Sequence, residues 1–286
     1  MNNLYDFDTL RAILSRHGFT FSKSLGQNFL IDGEICPEMA ACSGVTESSG
    51  VIEIGAGVGV LTNELAKNAG RVVAFELDRR LLPVLSETLS EHENVKIINA
   101  DALKTDLSAL IDEEFPGMEV CVCANLPYYI TSPLIMQLLE SRLPLTNITV
   151  MVQKEAAERL CAEVGSRESG AVTVAVNYYA EASQLFFVPR TSFLPSPNVD
   201  SEVIQLKIRK KPPIEVSDEK AFFRMVRAAF SQRRKTARNS VSSGLGISRD
   251  DVTDALVKIG VKEDIRAEKL TMDDLAALFN ALNGQL

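Results

Sequence analysis

Asn125, Leu126, Pro127 and Tyr128 form the motif in this 286-residue sequence whose residue types and spacing are best suited to chemistry. The motif follows an apolar run that is typical of a β-strand, so it would lie at the carboxyl edge of a sheet, where ligands of α/β folds bind. The Asn125 side-chain oxygen and the Leu126 carbonyl can accept the two N–H groups of an exocyclic amine, and Pro127 stiffens the turn. Tyr128 can stack on a base. The motif predicts methyl transfer to a base amino nitrogen by positioning and electrostatics, without a metal or a covalent nucleophile. The structural alternative is a Pro-Tyr turn with an asparagine cap.

A glycine turn, Gly55-Ala-Gly57-Val-Gly59, stands between a predicted strand and a predicted helix. Glu76 ends the next predicted strand, 21 residues after Gly55, where a carboxylate can accept both ribose hydroxyls of an adenosine. The spacing differs from the G-x-G-x-x-G fingerprint of dinucleotide sites and favours S-adenosylmethionine, which has a positive sulfonium and no pyrophosphate. Asp101, after the third predicted strand, is a candidate acceptor for the adenine amino group, or only a helix cap. A tight strand-to-helix turn without a ligand is the alternative for the glycines.

Composition limits the classes of function. Hydrophobic residues make up 46% of the sequence and charged residues 24%, which is globular composition. The two histidines, and five cysteines without a C-x-x-C pair, predict neither a metal site nor a disulfide framework. The polar N-terminus is no signal peptide, and no apolar run is long enough to span a membrane. We therefore expect a cytoplasmic protein without a metal.

The net charge of −8 conceals a basic segment near the C-terminus. Residues 204–240 carry a net charge of +8, which leaves −16 for the rest of the chain. Within this segment Arg233, Arg234, Lys235 and Arg238 follow an apolar helical stripe and are candidates for phosphate contacts. Such a block indicates a polyanion contact carried by one part of an acidic protein, or else a solvated face.

Strands and helices alternate from residue 51 onward, which predicts an α/β fold with a mostly parallel sheet. The predicted parallel strands are Val51–Ile54, Arg71–Glu76, Val95–Asn99, Val120–Asn125 and Ile148–Gln153. We interpret Ala171–Val188 and Glu202–Ile208 as an antiparallel pair at one edge. Beyond Lys210-Lys-Pro-Pro213 the sequence is helical in pattern. We predict a catalytic domain over residues 1–210 and a small all-helical domain over residues 211–286.

With these motifs in order, the chain resembles the adenine-N6 methyltransferases of ribosomal RNA, and among them the bacterial small-subunit dimethyladenosine transferases. The resemblance covers nearly the whole chain and rests on Ser24–Asp32, Glu53–Gly59, Asn125–Tyr128, Gln153–Glu155, Phe193–Ser201 and Gln232–Ser240. It implies a class I, Rossmann-like methyltransferase fold with a helical C-terminal domain, and S-adenosylmethionine as the cofactor. It also implies methylation of two adjacent adenosines in a hairpin loop near the 3′ end of small-subunit rRNA, in an immature subunit.

The resemblance implies roles for individual residues as well. Asn28 and Leu30 would contact the cofactor from an N-terminal covering segment. The residues implied to complete that site are Gly55, Gly57, Glu76, Asp101 and Asn125. Phe193, in a loop stiffened by prolines, would form the second face of an aromatic clamp on the base, opposite Tyr128. From the residues alone, Phe193 is equally suited to plugging the core.

Three other functions stay open at this point. A large-subunit rRNA adenine-N6 methyltransferase of the antibiotic-resistance type shares the glycine turn and the Asn125–Tyr128 motif, but the Gln232–Ser240 block argues against it. A DNA adenine-N6 methyltransferase would be expected to carry Asn-Pro-Pro-Tyr. A non-catalytic ribosome-assembly factor would not need Asn125–Tyr128 and Glu76 intact. We expect a monomer whose partner is small-subunit rRNA.

Overall fold

The structure, a computed structural model, describes residues 4–20 and 28–282 of the chain. It divides into two compact units. The first unit comprises Met1–Ala157 and Ala182–Ile208, and the second comprises Glu158–Glu181 and Arg209–Leu286. The strands are β1 (Phe29–Leu30), β2 (Ser49–Ile54), β3 (Arg71–Phe75), β4 (Val95–Ile98), β5 (Glu119–Asn125), β6 (Leu145–Gln153), β7 (Ala180–Val188), β8 (Phe193–Leu194) and β9 (Ser201–Ile208). The helices are α1 (Phe7–Arg16), α2 (Ile35–Cys42), α3 (Val60–Ala66), α4 (Leu82–Thr88), α5 (Leu107–Glu114), α6 (Thr131–Glu140), α7 (Lys154–Leu160), α8 (Ala171–Tyr179), α9 (Glu219–Phe230), α10 (Ala237–Leu245), α11 (Arg249–Lys258) and α12 (Met272–Ala281).

Seven strands form one mixed sheet in the order β4-β3-β2-β5-β6-β9-β7. β2 pairs in parallel with β3 and β5, β3 with β4, and β5 with β6, whereas β9 pairs antiparallel with β6. From β2 the chain builds outward to β3 and β4 and then returns to add β5 on the other side. Ligands of open α/β sheets bind at such a switch point, outside the carboxyl ends of the strands. The predicted mostly parallel sheet with an antiparallel edge is confirmed.

The central strands of this sheet are buried and mostly apolar on both faces, as expected where helices cover both sides. Every residue of β2 is buried, and in β5 the run from Val120 to Ala124 is buried. Cys121 and Cys123 fill core positions of β5, and burial raises the pKa of the Cys121 thiol to about 12. These thiols are small packing residues rather than reactive groups.

One segment contradicts its prediction. The sequence predicts Ala171–Val188 to be strand-rich, as one member of an antiparallel pair, but Ala171–Tyr179 is helix α8 and only Ala180–Val188 is strand. The helical part is rich in β-branched and aromatic residues, which favour strands on propensity. Burial decides the outcome, because a helix that is apolar nearly all round is stable when packed among other helices. Within the second unit, the rings of Tyr178 and Tyr179 pack against Phe222 and Phe223 of α9.

The second unit is helical in its described C-terminal part, where α9 to α12 follow one another. Asp218 begins α9 by accepting a hydrogen bond from the Ala221 amide at 3.0 Å, and Thr271 begins α12 in a reciprocal capping box with Asp274. This unit starts its C-terminal part at Arg209, next to the predicted boundary, and it also includes Glu158–Glu181. Along the described ranges, no helix is long and apolar enough to cross a membrane.

Candidate active site

A cavity of about 320 Å³ opens at the carboxyl ends of β2, β3, β4 and β5, within the first unit. Its size falls in the range of pockets that bind small ligands. The structure brings the predicted cofactor and catalytic residues together in its lining. These residues are Asn28, Leu30, Gly55, Gly57, Glu76, Asp101, Asn125, Leu126, Pro127, Tyr128 and Phe193. Residues far apart in sequence therefore converge at the switch point of the sheet.

The glycine turn joins β2 to α3 with three left-handed residues. Gly55, Gly57 and Gly59 have φ values of +86°, +60° and +89°, a region that side-chain-bearing residues rarely adopt. The Gly55 and Ala56 amides donate to the Phe75 carbonyl at 2.9 and 3.0 Å, which ties the turn to β3. The backbone conformation alone demands glycine here, so the glycines by themselves do not identify a ligand.

Glu76 directly follows β3 and binds the glycine turn that follows β2. Its carboxylate, in a residue only 8% exposed, accepts the Gly57 amide at 2.8 Å through Oε2 and the Asp78 amide at 2.8 Å through Oε1. Burial raises the pKa of Glu76, and the Asp78, Gly57 and Leu77 amides act in the opposite direction. Each carboxylate oxygen offers about two acceptor positions, so the backbone amides do not use the whole acceptor capacity of Glu76 and a ligand hydroxyl can also bind there.

Glu53 is a cavity residue that sequence reasoning did not select. It stands in β2, directly before the glycine turn, and is 1% exposed. None of the described residues donates a hydrogen bond to its Oε2 atom. Burial raises the pKa of Glu53 to about 8; the nearby Thr62 hydroxyl acts in the opposite direction, and the neighbouring Glu76 carboxylate adds to the rise. The signal in the sequence that could have identified Glu53 as a site residue is its acidic side chain within an otherwise apolar central strand, Val51–Ile54.

The Asn125–Tyr128 motif begins at the last residue of β5. The Leu126 amide donates to the Met151 carbonyl of β6 at 3.2 Å, and the Tyr128 hydroxyl lies 2.7 Å from the Ser201 hydroxyl of β9. Tyr128 is thereby anchored at the tip of its ring and half-buried. Among the described residues none makes a hydrogen bond with the Asn125 side chain, so its oxygen can accept one from a ligand.

Phe193 begins β8, which pairs antiparallel with β1 so that Leu30 lies opposite Phe193. This ribbon joins the N-terminal segment to the proline-containing loop at the wall of the cavity. Phe193 is only 3% exposed, so its ring is packed in that wall. Asn28 is half-buried beside β1, while Ser24 to Gln27 of the same motif lie outside the described residues.

Asp101 serves as a cap and also lines the cavity. Its Oδ1 accepts the Leu103 amide at 3.1 Å, at the start of the short turn Ala102–Lys104. Its Oδ2 lies 3.5 Å from the Lys104 ammonium, and 30% of its side chain is exposed. The cap and the ligand role are compatible because the cap uses Oδ1, and Asp101 also lines the cavity.

The basic candidates belong to the second unit. Arg233, Arg234 and Lys235 are exposed between α9 and α10. Arg238, in α10, donates to Glu263 at 3.0 Å, so its charge is already partly compensated. The first three are therefore the better candidates for contacts with phosphate groups.

Comparison with known proteins matches residues 18–284 to the family profile of the ribosomal RNA adenine dimethylases. A curated relative, the ribosomal RNA small subunit methyltransferase A of Geobacillus thermodenitrificans (strain NG80-2), is 50% identical over 276 residues, which cover 95% of this chain and 94% of the relative. The crystal structure of a dimethyladenosine transferase from Plasmodium falciparum superposes with a TM-score of 0.74 at 25% identity, covering 90% of this chain and 98% of that one. The 23S rRNA methyltransferase ErmE gives a TM-score of 0.66 at 28% identity, covering 90% and 100%. The chain therefore belongs to the ribosomal RNA adenine dimethylase family and is an rRNA adenine dimethyltransferase.

Proposed function

We propose that the enzyme transfers methyl groups from S-adenosylmethionine to the N6 atoms of two adjacent adenosines in a hairpin loop near the 3′ end of small-subunit rRNA. The observation that carries this proposal is the 50% identity, over 95% of the chain, with a curated small-subunit methyltransferase. ErmE, which acts on 23S rRNA, is 28% identical, and the large-subunit alternative is correspondingly weaker. The proposed substrate is the immature small subunit, and the proposed active form is a monomer.

The cavity suits a cationic adenosine derivative. Glu76 has acceptor capacity beyond its backbone amides for the ribose hydroxyls, and Asp101 offers Oδ2 to the adenine amino group. One oxygen of the buried Glu53 carboxyl has no hydrogen-bond partner among the described residues, and this carboxyl can release its proton and become a carboxylate when a cation enters. Asn28 and Leu30 would cover the ligand from the N-terminal side. When bound, S-adenosylmethionine supplies a methyl group activated by its sulfonium.

The enzyme's own part in the chemistry is to orient the base. An exocyclic amine is a poor nucleophile because its lone pair is delocalised into the ring. Asn125 and the Leu126 carbonyl would accept its two N–H groups, which localises the lone pair on nitrogen. Tyr128, held by Ser201, offers its ring for stacking on the base. Phe193 would support the opposite face of the base from within the cavity wall.

RNA recognition is proposed to involve the second unit as well. Arg233, Arg234 and Lys235 are exposed and can neutralise phosphate groups, whereas Arg238 would first have to leave Glu263. Phosphate contacts hold the substrate without reading its sequence, so they add affinity that salt weakens. Selection of the adenosines then falls to the cavity.

The test is methyl transfer from radiolabelled S-adenosylmethionine to three substrates in parallel: immature small subunits that lack the modification, large subunits, and duplex DNA. We expect label in small subunits alone, recovered as dimethyladenosine. Asn125→Ala should abolish it, whereas Asn280→Ala, a change at an exposed asparagine of α12, should leave it intact. Label on large subunits would overturn the proposal in favour of the resistance-type activity. Binding to small subunits without any labelling would favour an assembly factor.

A further inference from the structure

Phe187 is exposed in a way that neither the core nor the catalytic machinery explains. It is the penultimate residue of β7 and leaves 53% of its surface accessible. The Lys154 ammonium lies 6.0 Å from the centroid of its ring, at the outer limit of a cation–π contact. Lys154 is itself exposed, directly after the end of β6. The two side chains together present an aromatic ring and a positive charge at the surface of the first unit.

A short series of contacts places this pair beside the proposed base site. Tyr128 bonds to Ser201, and Ser201 lies opposite Gln153 in the β6–β9 register. The next residue along, Lys154, donates its amide to the Asp200 carbonyl at 3.1 Å. Only a few intervening contacts therefore separate the Phe187 ring from Tyr128, and both residues lie at the same edge of the sheet as the cavity.

The charges around the pair include both signs. Arg190 is exposed three residues after Phe187, and its amide donates to the Asp200 carboxylate at 3.0 Å. Glu155, next to Lys154, is an exposed carboxylate. A surface of this kind is not a general polyanion site, since its charges nearly balance. Its distinguishing element is the exposed ring, which suits stacking on an unpaired base more than sequence-independent phosphate binding.

We propose that Phe187 and Lys154 form a stacking platform for an unpaired nucleotide that flanks the target adenosine. The inference rests on the proposed function, because an rRNA strand whose adenosine enters the cavity must continue across the surrounding surface. The base of the flanking nucleotide stacks on the exposed surface of the Phe187 ring. Lys154 stays beside the ring and pairs with a phosphate of the same strand. Stacking tolerates any base, so the platform strengthens binding without selecting sequence.

The test is a steady-state comparison on immature small subunits, with cofactor binding measured separately. Phe187→Leu keeps an apolar side chain but removes the aromatic face, and we expect KM for the subunit to rise about 5- to 150-fold, the equivalent of one stacked base. Phe187→Tyr should stay near the wild-type KM. Lys154→Gln should also raise KM and make it less sensitive to salt. In all three variants kcat and the cofactor Kd should change less than twofold.

Phe7→Leu, at a phenylalanine of α1 that is 43% exposed, is the matched control and should behave as wild type. An unchanged KM in Phe187→Leu overturns the platform. A loss of cofactor affinity or of kcat in that variant also overturns it, because the ring would then support the site structurally. If the wild type labels large subunits instead, the proposed function fails, and the same KM comparison on that substrate decides the platform independently.

Discussion

Replacing the buried carboxyl of Glu53 with an amide of the same shape, Glu53→Gln, tests whether the cavity holds a protonated acid. Glu53 is 1% exposed, and one of its oxygens has no hydrogen-bond partner among the described residues. Burial therefore raises its pKa to about 8 in the folded chain, compared with 4.5 for an ordinary glutamate. The amide cannot ionise, so it removes this titration while keeping the volume of the side chain.

The sign of the effect follows from the protons bound by each state. Between pH 4.5 and pH 8 the folded chain keeps the proton on Glu53, whereas the unfolded chain has released it. The free energy of unfolding therefore falls as the pH rises, by about 1.4 kcal/mol per pH unit from this group alone. Between pH 5.5 and pH 7.5 the wild type should lose about 3 kcal/mol that Glu53→Gln keeps.

The assay is urea unfolding of wild type and variant at pH 5.5, 6.5 and 7.5. The chain has no tryptophan, so the transition is best followed by circular dichroism. The difference in stability between variant and wild type should grow in favour of the variant with each step in pH. Glu155→Gln, at an exposed carboxyl of α7, is the matched control and should follow the wild-type profile. Parallel profiles for Glu53→Gln and wild type would show that Glu53 is ionised in the folded chain and would refute the reasoning.

Cofactor binding gives a second measurement on the same pair of proteins. A cation favours the ionised form of Glu53, so wild-type affinity for S-adenosylmethionine should rise between pH 6 and pH 8, by at most tenfold per pH unit. Binding should also release a proton, seen calorimetrically as a heat that depends on the ionisation enthalpy of the buffer. Glu53→Gln should show neither effect. A buffer-independent heat in the wild type would contradict a protonated Glu53.

The remaining predictions concern the division of roles, the fold and the RNA. Tyr128→Ala should lower kcat while the cofactor Kd stays within twofold of the wild-type value. Glu76→Ala should raise that Kd at least tenfold, because it loses a buried pair of acceptor oxygens. Equal losses of cofactor affinity in the two variants, measured by calorimetry, would contradict the separate roles. Gly70→Ala should destabilise the first unit by about 1–3 kcal/mol in urea unfolding, since the new Cβ would lie 2.2 Å from the Glu47 carbonyl oxygen; an unchanged midpoint would mean that the loop relaxes freely. Arg234→Ala should weaken binding to small subunits and reduce the slope of log affinity against log salt by about one, and an unchanged slope would exclude a phosphate contact.

Local sequence patterns were sufficient to predict the strands in the parallel part of the sheet. The predicted strands Val51–Ile54, Arg71–Glu76 and Val95–Asn99 agree with β2, β3 and β4 to within two residues at either end. Runs of apolar residues bounded by glycine or polar turns are a property of the segment itself. Helix α5 was not predicted, although Asp106 caps it by accepting the Ser108 and Ala109 amides at 3.0 and 3.1 Å. The signal was present in a capping aspartate before a short amphipathic run.

Strand propensity gave the wrong prediction where burial against distant segments favoured a helix. Ala171–Tyr179 favours a strand residue by residue but is a helix, because its apolar surface is buried on most sides within the second unit. Its helix is also supported locally, since the Asn177 side chain donates to the Thr173 carbonyl at 2.9 Å and to the Ala162 carbonyl at 3.0 Å. Neither the surrounding helices nor the Ala162 carbonyl can be read from the nine residues themselves.

The sequence by itself determined the order of the motifs and the strand ends on which they stand. Strand ends meet at one edge in any parallel sheet, so Gly55, Glu76, Asp101 and Asn125 had to converge. Only the tertiary structure decided the protonation and the anchoring of other side chains in the same cavity. The protonation of Glu53 depends on its burial, and the Tyr128 ring is held by a hydroxyl 73 residues further along the chain. Burial and long-range contacts arise when distant segments pack together, and no pattern within one segment encodes them.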